Sequence, residues 1–94
     1  MAIAKWNGQV IAESKTFELV EGNVYFPPSA LKHDFFKASN HTTVCGWKGT
    51  AEYLDVIVDG KMNANAAWYY AAPKEAVNNI AGYVAFWKGV EVTQ

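Results

Sequence analysis

A seven-residue segment, Thr43-Val44-Cys45-Gly46-Trp47-Lys48-Gly49, holds the residue types best suited to chemistry in this chain of 94 residues. Cys45 is a candidate nucleophile, and Lys48 could stabilise its thiolate across the glycine-containing turn. His41 is four residues upstream, but four steps of extended strand span about 13 Å, so His41 and Cys45 cannot hydrogen-bond directly. The segment predicts either a reactive thiol or a small buried cysteine at a strand end, and both interpretations stay open.

Two further chemistries are disfavoured. The clustered metal-ligand candidates are His33, Asp34, His41 and Cys45, but the chain has one cysteine and lacks the close cysteine pair typical of structural zinc, so we predict no metal and no cofactor. Lys48-Gly49-Thr50 ends like a phosphate-binding P-loop, yet the upstream glycine is missing and a strand follows where a helix should begin. A glycine-flanked lysine can still hold an anion as a point charge beside exposed backbone N–H groups.

Aromatic residues form 15% of the chain and are the second signal. Trp68 and Tyr70 alternate with their neighbour along a predicted strand and point to the same side, where they either build the core or line a pocket. Trp47 lies in the loop and would cover a ligand or close one end of the core. Glu13 and Asp55 are the acidic candidates for general-base work; the alternatives are a solvated surface glutamate and a hydrogen-bonded structural aspartate.

Charge and hydropathy exclude several classes of partner. The net charge is -1, and the chain has no arginine and only scattered lysines, so we predict no nucleic-acid binding. No apolar run approaches the length of a membrane span, and the first residues lack the apolar stretch of a signal peptide, so we predict no membrane partner and a cytoplasmic location. The lone cysteine excludes an internal disulfide.

Short turn signals divide the chain into strands. Asn7-Gly8, Glu21-Gly22-Asn23 and Asp59-Gly60 each predict a hairpin, because these residues tolerate the positive φ angles of tight turns. Ala51–Val58 is the strongest predicted strand, and it returns through Asp59-Gly60 into residues 61–71. With those two residues as the loop, Ile57 would face Met62, Tyr53 would face Ala66 and Ala51 would face Trp68. The face that carries these residues would then be nearly all apolar, with Asp55 as its exception.

Two short segments have helical spacing. In residues 29–39 the apolar positions Leu31, Phe35 and Phe36 predict one or two helical turns. Pro73–Ala81 predicts a second short helix, with Val77, Ile80 and Ala81 as its apolar stripe. With seven or eight strands, the chain is predicted to form a single domain over residues 1–94. Its fold class would be mainly β, a small sandwich of two antiparallel sheets with one or two short helices.

Six segments occur in an order that resembles a known family. They are Val10-Ile11-Ala12-Glu13-Ser14, Val20-Glu21-Gly22, Tyr25-Phe26-Pro27, Thr43-Val44-Cys45-Gly46-Trp47-Lys48-Gly49-Thr50-Ala51, Ala67-Trp68-Tyr69-Tyr70 and Ile80-Ala81-Gly82-Tyr83-Val84-Ala85-Phe86. Together they resemble domain-of-unknown-function family 427 over nearly the whole chain. The resemblance implies a β-tent-like fold, whose relatives include reductases that bind zinc through paired cysteines that this sequence lacks. The family is sometimes labelled nucleotidyltransferase-like, but the expected Gly-Ser and Asp-x-Asp carboxylate pair is absent.

Three hypotheses about function follow. The first is a small-molecule binding domain, with an aromatic pocket formed beside the loop by Cys45, Trp47, Lys48, Gly49, Tyr53 and Trp68, and with Glu13 and Asp55 as further binding candidates. The second is an enzyme that uses Cys45 as nucleophile or redox thiol. The third is a structural module, such as a homodimer formed through an edge strand or an aromatic patch.

Overall fold

Antiparallel strands make up most of the computed structural model, which describes residues 1–94. The strands are β1 (Ala2–Trp6), β2 (Gln9–Ser14), β3 (Glu18–Val20), β4 (Asn23–Tyr25), β5 (Phe36–Cys45), β6 (Gly49–Val58), β7 (Lys61–Tyr69), β8 (Val84–Phe86) and β9 (Glu91–Thr93). They form two larger sheets, with strand orders β2-β1-β9 and β5-β6-β7-β8, and β3 pairs with β4 in a separate two-stranded sheet. The prediction of a small, mainly β sandwich is confirmed.

The predicted hairpin turns are present. Asn7-Gly8, Glu21-Gly22 and Asp59-Gly60 each adopt positive φ at both residues, as a tight two-residue turn requires. The second turn is one residue shorter than predicted, because Asn23 already pairs with Val20 as the first residue of β4. These local signals therefore fix three hairpins correctly.

The first predicted helical segment, over residues 29–39, was wrong in its second half. Two single 3₁₀ turns form at Pro28–Ala30 and His33–Phe35, and β5 begins at Phe36. Phe36 pairs with Val56 of β6, so the sheet satisfies backbone groups that a longer helix would have used. Its side chain packs against the main core, as the apolar spacing required.

The second predicted helix forms as two short 3₁₀ pieces within Glu75–Ile80, separated by a kink at Val77, where the backbone is non-helical. Val77 and Ile80 are buried, as the predicted apolar stripe requires, but Ala81 is exposed because the helix ends before it. Gly82 follows it with a φ of 75°, which few other residues adopt easily. None of the three helices is long and apolar enough to cross a membrane.

The β6–β7 hairpin agrees with the prediction only near its turn. Ile57 pairs with Met62 as expected, but Tyr53 pairs with Trp68, two residues beyond the predicted partner Ala66. The register shifts because β7 carries two extra residues at a bulge, where Asn65 has a φ of 57°. Because the shift is even, Tyr53 and Trp68 still point to the same face.

Apolar side chains are buried on both faces of the four-stranded sheet. Thirteen buried residues, most of them from the two larger sheets and including Val56 and Val58, form the main core. A second cluster of seven, including Ala51 and Tyr53, contains three tyrosines. The face predicted to be nearly all apolar is buried only in part. Ala51 and Tyr53 belong to the second cluster, but Ala66, beside the bulge, packs in the main core. Met62 is 55% exposed, because the second cluster covers only the end of the hairpin far from its turn.

Candidate functional site

The loop singled out by its sequence connects β5 to β6. Cys45 pairs with Gly49 at its base. Lys74 holds it from the segment after β7, because its backbone N–H donates to the Lys48 carbonyl at 2.8 Å and its side chain donates to the Gly46 carbonyl at 2.6 Å. The loop is therefore fastened to the body of the protein at two of its residues.

Lys48 is the one charged residue that the fold buries, with 7% of its surface exposed. Its ammonium donates a hydrogen bond to the carboxylate of Glu21, at the β3–β4 turn. Burial alone would lower the pKa of Lys48, but the hydrogen bond to Glu21 and the interactions with Tyr25 and Tyr70 outweigh burial and raise that pKa. Lys48 is thus a protonated hydrogen-bond donor and not a neutral amine nucleophile.

An aromatic pocket of about 200 Å³ lies beside this lysine. It is lined by Lys48, Tyr53, Trp68, Tyr70 and Trp87. The Trp68 and Trp87 rings meet edge to face, with 5.9 Å between centroids, and the Tyr53 and Trp87 centroids are 6.4 Å apart. Four aromatic side chains and one buried cation therefore share one concave surface.

Hydrogen bonds hold three walls of the pocket in place. The Trp68 indole donates to the hydroxyl of the fully buried Tyr25 at 3.2 Å, and the Trp87 indole donates to a backbone carbonyl of the β7 bulge. The Tyr53 hydroxyl and Thr43 Oγ1 share a hydrogen bond of 3.0 Å. Burial raises the pKa of Tyr25, against the opposing effects of the Trp68 bond and Lys48, so this support is an uncharged phenol at neutral pH.

The polar groups left over in the pocket can all donate hydrogen bonds, and the Tyr70 hydroxyl can also accept one. An ammonium has three N–H groups, and Lys48 uses one of them, for Glu21. The Tyr70 side chain makes no hydrogen bond within the protein, and burial raises its pKa although Lys48 partly opposes that effect. A ligand that supplies acceptor atoms would therefore meet two N–H groups and one hydroxyl.

Of the predicted site residues, the pocket brings together Lys48, Tyr53 and Trp68. Trp47 does not line it: this side chain is 44% exposed, and its ring centroid lies 5.5 Å from the Lys48 ammonium. Cys45 is partly buried against the second cluster, and its thiol makes no hydrogen bond. The nearest upstream histidine, His41, packs its ring on Tyr53, 4.7 Å between centroids. The enzyme hypothesis built on Cys45 stays a prediction.

The two acidic candidates lie outside the pocket lining. Glu13 is on β2 and forms an ion pair with Lys32 at 3.7 Å, with both side chains about half exposed. Asp55 accepts a hydrogen bond at 2.9 Å from the backbone N–H of Asn65, which stabilises the β7 bulge. No group of three or more His, Cys, Asp and Glu side chains gathers closely enough to hold a metal ion.

Sequence reasoning grouped Tyr70 with Trp68 as core or pocket lining without naming it as a binding residue, and it missed three residues that build the site: Trp87, Glu21 and Tyr25. Tyr70 carried a usable signal, because it lies two positions after Trp68 and points the same way. Trp87 begins a second Trp-Lys-Gly tripeptide, and Lys88 lies over its ring at 5.1 Å as Lys48 does over that of Trp47. Glu21 and Tyr25 had no local signal, because only the folded chain brings them to Lys48.

A larger cavity of about 340 Å³ lies elsewhere, among Leu31, Phe36, Leu54 and Val84 of the main core and its margin. His33 and Tyr69 are its polar side chains, and it contains no lysine or carboxylate. An apolar cavity of this kind can take up a ligand, but it has few groups with which to orient one. The smaller aromatic pocket is therefore the better candidate site.

Residues 2–94 match the family described as Domain of unknown function (DUF427). The chain belongs to the DUF427 family. The match confirms the resemblance seen in the six sequence segments, and it includes the loop, the buried lysine and the aromatic strands. A comparison with curated proteins found no match. The family description of DUF427 names no activity.

Proposed function

We propose that this DUF427 domain binds a small organic molecule in the pocket formed by Lys48, Tyr53, Trp68, Tyr70 and Trp87. The observation that carries the proposal is the combination of a buried lysine that keeps unused N–H donors with a concave wall of aromatic rings. Binding sites for small molecules typically combine a largely apolar, preformed surface with a few polar groups that orient the ligand.

The dimensions of the pocket limit the ligand. Sites for drug-sized molecules usually enclose roughly 300–1,000 Å³, whereas this pocket encloses about 200 Å³. A ligand with one planar ring and a small polar head fits that volume. Because hydrogen bonds already fix Tyr53, Trp68 and Trp87, little side-chain freedom would be lost on binding.

A thermal-shift screen of single-ring metabolites tests the proposal. We expect a ligand at about 100 times its Kd to stabilise the wild type by about 2.7 kcal/mol. Trp87→Ala should lose most of that effect because it removes a wall of the pocket. His33→Ala is the matched control, because His33 lines the other cavity, and it should respond like the wild type. Equal stabilisation of all three proteins would contradict the proposal.

A second candidate function is self-association through β5. This ten-residue strand is at the open edge of the four-stranded sheet, and Val44 near its end is 81% exposed. Exposed edges of this kind can pair with the same edge of a second copy. Sedimentation should then show a concentration-dependent dimer that Val44→Lys weakens. A wild type that stays monomeric at all concentrations would contradict this candidate.

We also propose a cytoplasmic location, which suits a protein whose single cysteine is a free thiol. Fractionation of cells that produce the tagged protein tests the location directly, and recovery from a membrane or extracytoplasmic fraction would contradict it.

A further inference from the structure

We infer that the ligand is a small organic anion, and that its carboxylate replaces the Glu21 carboxylate at the Lys48 ammonium. This inference rests on the proposed function, since it names the chemical class that the same pocket would select. It also assigns Glu21 a second role, as an internal counterion that occupies the lysine while the pocket is empty.

The first support is the inventory of polar groups in the pocket. The indoles of Trp68 and Trp87 and the hydroxyl of Tyr53 are already hydrogen-bonded inside the protein. What remains is the hydroxyl of Tyr70 and two N–H groups on Lys48, or three once Glu21 is displaced, all of which can donate. A carboxylate has only acceptors and can take several such bonds, which are stronger when donor and acceptor carry opposite charges.

The second support is the unequal burial of the ion pair. The Lys48 side chain is 9% exposed, whereas the Glu21 side chain is 49% exposed. A buried ammonium needs a counterion, but a half-exposed carboxylate can return to water at low cost. The exchange therefore keeps Lys48 paired in both states, while only Glu21 changes its surroundings.

The turn that carries Glu21 can release its side chain without unfolding. Glu21 is the first residue of the two-residue β3–β4 turn, with a φ of 55°. The hairpin is held independently at its other strand end, where Glu18 accepts a hydrogen bond from Asn79 at 2.8 Å. Displacement of one side chain at the turn leaves that anchor in place.

The same geometry disfavours a cationic ligand, which aromatic pockets otherwise attract. The Lys48 ammonium lies 5.6 Å from the Tyr70 ring centroid and 5.5 Å from that of Trp47. The protein's own cation thus occupies the position that a ligand cation would seek, and it would repel a second positive charge.

A matched set of probes tests the inference by calorimetry and ligand-observed NMR. Benzoate, benzamide and benzylamine share one ring and differ in the charge of the head group, while acetate has the charge without the ring. We expect benzoate to bind about tenfold or more tighter than the other three, because a hydrogen bond to a charged partner is stronger than a neutral one. Equal binding of benzoate and benzamide would overturn the anion inference and leave the proposed function standing. Tightest binding by benzylamine would also overturn it.

Two variants test the exchange itself. Glu21→Gln removes the competing carboxylate, so benzoate affinity should rise several-fold while benzamide affinity stays unchanged. An unchanged or weaker benzoate affinity in Glu21→Gln would overturn the exchange. Lys48→Met should abolish the preference for benzoate. If that variant does not fold, Tyr70→Phe serves instead, with the expectation of a smaller loss that is confined to benzoate. If the wild type and all of these variants bind benzoate with the same affinity, the binding site is not at Lys48 and the inference is overturned.

Discussion

The Lys48–Glu21 ion pair makes an asymmetric prediction about stability. Glu21→Gln leaves the Lys48 ammonium, 7% exposed, without its counterion. Loss of one partner from a fully buried pair costs about 3–5 kcal/mol. Here Glu21 is half exposed, so water and the new amide oxygen can replace part of the interaction. We therefore expect a cost of about 1–2 kcal/mol.

Lys48→Met should cost less than Glu21→Gln, although it deletes the same ion pair. Methionine fills an irregular apolar space well, and it removes the buried charge instead of stranding it. The Glu21 carboxylate left behind is half exposed and can be hydrated. We expect a change within about 1 kcal/mol of the wild type.

Urea denaturation, monitored by tryptophan fluorescence and circular dichroism, measures the free energy of unfolding of both variants. In a thermal melt of a domain of this size, the Glu21→Gln cost corresponds to a fall in Tm of about 4–16 °C. The double variant should resemble Lys48→Met, because Glu21 has no buried partner once the lysine is gone. If Lys48→Met is more destabilising than Glu21→Gln, then the lysine contributes through packing, and the reasoning from unequal burial is refuted.

Three further predictions concern the loop, alkaline pH and the bulge. Gly46→Ala should stabilise the protein by about 0.4–1 kcal/mol in denaturant titrations, because Gly46 does not have a positive φ and no atom lies within 4 Å of an added Cβ. The matched change Gly49→Ala should destabilise the protein, because Gly49 has a φ of 118°. The fold raises the pKa of Tyr25 and of Lys48, so the stability that they contribute is present below about pH 10 and declines as the pH rises through the raised pKa values. Tyr25→Phe should reduce that decline when unfolding midpoints are measured across a pH series. An equal decline in the variant and the wild type would contradict the assignment. Asp55→Ala should cost about 1–3 kcal/mol because it removes the acceptor for the half-buried backbone N–H of the β7 bulge, and an unchanged midpoint would show that water replaces it.

Local signals were sufficient for much of this fold. Asn7-Gly8 and Asp59-Gly60 predict their hairpins because few residue pairs tolerate two successive positive φ angles. The β7 bulge was not predictable, because it depends on a hydrogen bond between Asp55 and Asn65 across two strands. A register derived from the turn alone therefore fails beyond that point, as it does at Tyr53.

The candidate site was predictable only where residue type and sequence neighbours mark a position. Lys48 and Trp68 stood out by residue type and by their neighbours, and both line the pocket. Glu21 lies 27 residues before Lys48, and nothing in its own hairpin indicates that it pairs with the lysine. Trp87 reaches the pocket because β8 pairs with β7, which no local pattern specifies.

The indole N–H signals of the four tryptophans test the central claim most directly. In a heteronuclear NMR titration with benzoate, the signals of Trp68 and Trp87 should move together and saturate, because both rings line the pocket. Trp6 lies on β1 and lines a different cavity, so its signal should stay in place. In Lys48→Met, the benzoate concentrations that saturate the wild type should move the signal of neither Trp68 nor Trp87. Movement of Trp6 with Trp68 and Trp87 unchanged, or an unaltered response in Lys48→Met, would contradict the claim that Lys48 anchors an anion in the aromatic pocket.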